Sequence, residues 1–187
     1  RLFTPLCRSL VFAAAFTAVG CSSTGPVKYA GIASASRMSP NTSDDSDRIP
    51  FRYAAPVEWS KYRSISIEPV EIYSGSDAQF NELSVDDRRQ LADYMHKKVE
   101  EVLAEKFNTH PPAGTAPALK LKLTLTGADT TPQVIGTFTK FDLAGGPYNI
   151  VQAVRGGRGL MSGDGNFGVE GKDAGSNELL LAHVAGQ

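Results

Sequence analysis

The groups of this 187-residue chain that could do chemistry are two thiols, three imidazoles, a few clustered carboxylates and a glycine-rich loop. His96, His110 and His183 lie far apart, with no second histidine or cysteine at metal-ligand spacing. They read as helix-surface, post-helix loop and sheet residues. Gly163-Asp164-Gly165-Asn166-Phe167-Gly168 spells G-x-G-x-x-G, but a dinucleotide site needs a strand before the glycines and a helix after them. Here a glycine-rich stretch runs into a strand pattern, so the match reads as chance. No G-x-S-x-G elbow frames a serine and no Walker-type phosphate loop is present. Asp86/Asp87 and Glu100/Glu101 sit on a helical pattern and are expected to face solvent. Asp44, Asp45 and Asp47 lack the glycine turn and distal glutamate of a calcium loop, so they read as a solvated acidic linker. The expectation is therefore no catalytic residue, no cofactor and no metal site, and a protein that is not an enzyme.

That leaves the thiols. Arg1 and Arg8 form a basic start, Leu10 to Val19 an apolar run of ten residues, and Ala18-Val19-Gly20 a small-residue ending before Cys21. A membrane-crossing helix needs about 20 apolar residues, so the segment is too short to be a stable span. It reads as a signal peptide over residues 1–20. The ending resembles the lipobox of bacterial lipoproteins, with Ala18 where leucine is commoner. That resemblance implies cleavage before Cys21 and a diacylglyceryl group on its sulfur. Cys7 would leave with the leader, and lipidation would consume the single thiol that remains. Ser22, where an aspartate would retain the protein at the inner membrane, implies transfer to the outer membrane of a Gram-negative bacterium. The competing reading is an ordinary secretory leader with an incidental cysteine. Arg1 rather than methionine opens the chain, so residues before it are expected.

Composition excludes other classes. Hydrophobic residues make up 41% and charged residues 21% of the chain, as expected for one globular domain. The net charge is -1, and loss of residues 1–20 would leave 17 basic against 20 acidic residues. Nucleic acid is therefore not an expected partner, because such binders present clustered basic faces. Arg88-Arg89 and Lys97-Lys98 lie among acids and read as solvated helix surface.

Residues 21–48 form the lipidated N-terminus and a tether in this reading. The 27 residues 22–48 are rich in Ser, Gly, Pro and Asp, without helical or strand periodicity. As a flexible coil they would span roughly 30 Å. A single domain over 49–187 follows. Ile65 and Ile67 alternate with serines, and Pro69 interrupts the pattern before Val70 and Ile72, which predicts an edge strand or a bulge. Ser84-Val85-Asp86-Asp87 predicts a capped helix start. Leu91, Tyr94, Met95, Val99, Val102, Leu103 and Phe107 then form one apolar stripe, ended by Asn108 to Pro112. Leu119, Leu121, Leu123 and Leu125 alternate with Lys120, Lys122, Thr124 and Thr126, a strand with one buried and one wet face. Phe167 to Val184 predicts a hairpin across Asp173–Asn177. The fold class is α+β, a small mostly antiparallel sheet with one long amphipathic helix on one face, in β-α-β-β-β order. Residues 127–166 are glycine-rich without clear period, and a connection of that length is usually functional.

With these elements placed, YAGIASASRM from Tyr29, RYAAPVEWSKYRSISIEPVEIY from Arg52 and FNELSVDDRRQLADYMHKKVEEVLAEKF from Phe80 resemble a family of proteobacterial lipoproteins known only as a domain of unknown function. VEGKDAGSNELLLAHV resembles that family's hairpin. The resemblance implies a periplasm-facing lipoprotein, supplies no catalytic residues, and implies a further amphipathic helix after Gln187. The expected role is a non-enzymatic interaction module, lipid-anchored to the envelope, that binds an envelope protein through a sheet edge or the glycine-rich segment. A small-ligand or lipid carrier is the alternative.

Overall fold

The computed structural model describes residues 25–128 and 165–186. In chain order they form strands β1 (Ser39–Pro40), β2 (Phe51–Ala54), β3 (Ser64–Ile67) and β4 (Glu71–Ile72), helix α1 (Val85–Leu103), then β5 (Ala118–Ala128), β6 (Gly165–Asp173) and β7 (Leu179–Ala185). The α+β class, and the one α-helix among the described residues, are as expected. All seven strands join one sheet in the order β1-β2-β7-β6-β5-β3, with β4 following β3 along the same edge of β5. The pairs from β1 through β5 are antiparallel. β3 and β4 run parallel to β5, because α1 carries the chain back across the sheet between them. Pro69 separates β3 from β4 on this outer edge, where a missing N–H costs no ladder bond. β1 and β2 were not expected as strands. They are short, and Pro40 and the exposed Ala54 blur any alternation.

The helix starts where its cap predicts. The Ser84 hydroxyl accepts the Asp87 N–H at 3.1 Å, and Asp86 and Asp87 sit in the positive first turn. Leu91, Met95, Val99 and Leu103 form one buried cluster with Leu119, Leu121, Leu123 and Leu125. A 3.6-residue stripe thus meets a 2-residue alternation, the packing from which a two-layer domain is built.

The opposite face departs from expectation. Lys120 and Lys122 are half-exposed, pairing with Glu68 at 2.7 Å and Glu71 at 2.6 Å, while Thr124 and Thr126 farther along β5 are buried. Their cover is the segment read as a tether. Tyr29, Ile32, Ala35 and Met38 belong to the core. Ile32 N–H donates to the Tyr29 carbonyl, Ala35 to Ile32, and Met38 to Ala35, at 3.2, 2.9 and 3.3 Å. Bonds of this i, i+3 kind close turns with three residues each, so every third side chain faces the same way. Residues 25–38 are a strap across the sheet, and the tether reading is corrected for the described part of 21–48. Glycine at 168 makes room for it: a Cβ there would stand 2.5 Å from Ile32 Cδ1.

Residues 41–50 close a tight loop between β1 and β2. The buried Asn41 amide donates to Asp45 at 2.8 Å and to the Ile49 carbonyl at 2.9 Å. Asp45 therefore belongs to a folded loop rather than a solvated linker. The predicted hairpin turn is present: Asp173 Oδ1 accepts N–H groups from Gly175 and Ser176, and Asn177 takes a positive φ of 58°.

Candidate functional site

The strap is held at one end of the sheet by a cluster of polar and aromatic side chains from three separate stretches of chain, together with the backbone of β5. Gln79 is its centre. Its backbone N–H donates to Thr126 O at 2.8 Å and its carbonyl accepts from Ala128 N–H at 3.2 Å, which extends the sheet by one residue. Its side-chain oxygen accepts the Tyr29 hydroxyl and the Asn166 amide, each at 2.7 Å, and its amide donates to the Gly25 carbonyl at 3.2 Å. Gln79 thus joins the start of the strap to the start of β6 through its side chain and to the end of β5 through its backbone.

Beside it, the Tyr73 hydroxyl donates to Asp77 at 2.7 Å and accepts the Gly31 N–H at 2.8 Å, while the other Asp77 oxygen accepts the Ala30 N–H at 3.0 Å. The Tyr29 and Tyr73 rings meet edge to face, centroids 5.5 Å apart. Burial, and then the bond to Asp77, raises the Tyr73 hydroxyl above the usual tyrosine range, and burial raises that of Tyr29. The Tyr73 hydroxyl and the Ala30 N–H hold Asp77 below the usual carboxylate range. Gly31 admits the close approach, since a Cβ would lie 2.8 Å from the Tyr73 ring. Farther along the strap, Ser34 N–H donates to Glu170 at 3.0 Å, a carboxylate only 2% exposed.

At the other end of the sheet, the Tyr62 hydroxyl donates to Asp173 at 2.7 Å. Backbone N–H groups of the turn, with this hydroxyl, bring the Asp173 carboxyl down to about 2. Burial, with the same bond, pushes Tyr62 up to about 12. His183 lies in β7 between Val169 and Arg52, 6% exposed, and burial lowers its imidazole to about 4. It is the sheet residue the sequence suggested. His96 is half-buried on α1. His110 is exposed after the helix, 3.1 Å from Glu100.

Cys21 lies outside the described residues, as do residues 129–164 of the glycine-rich segment and the helix expected after Gln187. Gly127, Ala128, Gly165 and Asn166 are ordinary sheet residues, Gly127 paired with Asn166 and Ala128 with Gly165. Gly165 and Gly168 of the G-x-G-x-x-G match lie on β6, so a strand follows the glycines where a dinucleotide site requires a helix. Among the described residues, no three His, Cys, Asp or Glu side chains group as metal ligands, and no helix is long and apolar enough to cross a membrane. Sequence reasoning missed the strap. Its signal was the spacing of Tyr29, Ile32, Ala35 and Met38 at intervals of three, a period that neither α-helix nor strand uses.

No curated protein and no solved structure matches the chain. The model of one family of proteins does match it, over residues 28–187, and the match opens one residue before Tyr29, so residues 28–38 of the strap fall within it. This chain belongs to that family, a protein family of unknown function, DUF3313.

Proposed function

We propose that the protein is a lipid-anchored component of the bacterial envelope, attached through Cys21 to the outer membrane and facing the periplasm, whose domain works as a non-enzymatic interaction module. The observation that carries the reading is the sequence of residues 1–21, a basic start, a ten-residue apolar run and Ala-Val-Gly before a cysteine. The two long acyl chains of a diacylglyceryl group on the sulfur give an attachment that is effectively permanent, since each buried methylene contributes about 0.8 kcal/mol. The strap adds support, because it links the residues just after Cys21 to the core of the domain.

The interaction role is favoured over catalysis by how these side chains are already used. Asp77 bonds Tyr73, Asp173 and Tyr62 bond each other, and His183 is buried in the sheet. Each of the first three is spent on a protein partner. Metabolic labelling with radioactive palmitate, comparing the natural chain with Cys21→Ala, tests the attachment. Label in the natural chain and its loss in the variant is the expected result. Absence of label from both, with the protein in the soluble fraction, refutes it.

A further inference from the structure

We infer that the end of the sheet that carries Gln79 is a membrane-contact surface, seated on the phospholipid bilayer. The inference rests on the attachment through Cys21 proposed above and adds the orientation of the domain. Only residues 22–24 lie between Cys21 and Gly25, and fully extended chain covers at most about 14 Å over that interval. Gly25 is not a free point on a coil: its carbonyl is bonded to Gln79, and Tyr29 four residues later is fully buried. A sulfur whose acyl chains lie in the bilayer therefore holds the Gln79 end of the domain at the headgroups.

The surface chemistry at that end agrees. Among the described residues, the large hydrophobic side chains most exposed to solvent are Val27, at 38%, and Val85, at 58%. Val27 stands two residues after Gly25. Val85 is the first residue of α1, and Arg88 donates from that turn to the carbonyls of Phe80 and Leu83, which ties the helix start to the residue next to Gln79. Among the described residues, two exposed valines from distant parts of the sequence thus stand at the end nearest the lipid. The charged neighbours are mixed: Lys28 and Glu82 are exposed, and Arg89 pairs with Asp86 at 2.8 Å. Contact driven by the anchor and the two valines does not depend on anionic lipid.

β6 runs from Gly165 to Asp173, which at a strand's rise separates the β6–β7 turn from the Gln79 end by about 26 Å. Val27→Cys, Val85→Cys and Ala174→Cys, each an exposed position, are made one at a time in the full chain. Each lipidated variant is labelled with an environment-sensitive fluorophore and reconstituted into phosphatidylcholine vesicles containing spin-labelled lipid. Loss of fluorescence at 27 and 85, with none at 174, is the expected result, unchanged when anionic lipid is added. Equal quenching at all three positions, or quenching at 174 alone, overturns the orientation. Flotation of the same vesicles separates the two levels of failure. Protein that floats without quenching at 27 and 85 refutes the contact surface only, whereas protein that does not float refutes the attachment as well.

Discussion

The two faces of the sheet are buried by different means. One face carries Leu119, Leu121, Leu123 and Leu125 and packs on the apolar stripe of α1. The other carries Thr124, Thr126, Gly168 and Glu170 and lies under the strap, which reaches it with Tyr29, Ile32 and the Ser34 N–H. On the first face, leucines are removed from water at about 25 cal/mol per Å². The second mixes apolar strand residues, Ala182 and Val184 with Phe51 and Tyr53 beside them, with buried polar groups, so its cover adds aromatic contacts and hydrogen bonds whose loss would strand those groups. An alternating strand therefore tells which face is apolar, but not that its polar face is wet.

If the strap is a structural layer equal to the helix, truncation on either side destabilises comparably. Leu121→Ala and Tyr29→Ala are each expected to cost about 3 kcal/mol in urea denaturation, as for other buried large-to-alanine changes. A loss well under 1 kcal/mol for Tyr29→Ala alone would demote the strap to a surface ornament.

Acid is expected to act through His183, which by strand register shares the leucine face with Val169 and Leu123. Its imidazole is lowered from 6.5 to about 4. The unfolded chain therefore takes up a proton first, and stability present in full above pH 6.5 is lost as pH falls toward 4. The contribution is about 3 kcal/mol at most. Urea midpoints measured across that interval should fall for the natural chain and flatten for His183→Gln.

Gly168→Ala places a methyl against Ile32 and should cost about 1 to 3 kcal/mol by overpacking. Ile32→Ala in the same molecule should recover part of that loss, a coupling that only direct contact between strap and sheet produces. Tyr73→Phe removes a single hydroxyl from the clamp and should cost about 1 kcal/mol, seen as a small shift in the same denaturation midpoint.

The leucine face was legible because its two periods, 3.6 in α1 and 2 in β5, have few alternative explanations. Ser84 and the Asp173 turn were legible because caps and turns use side chains that bond their own backbone. The strap was not, since serine, glycine and alanine between its anchors suggest a linker, and four residues at intervals of three fit neither common period. β1 and β2 were hidden for a related reason: strands of two and four residues are too short to show alternation. The clamp was invisible because it is assembled from Gly25, Tyr29, Tyr73, Asp77, Gln79 and Asn166, which only the fold brings together.

Hydrogen exchange of the strap's amides in the lipidated protein tests the central claim most directly. The N–H groups of Ala30, Gly31, Ile32, Ser34, Ala35, Arg37 and Met38 all have acceptors, so they should exchange far more slowly than an unstructured peptide and lose protection in Tyr29→Ala. Exchange of residues 30–38 at the rate of free chain would contradict the account, and would return this segment to a loose leash between lipid and domain.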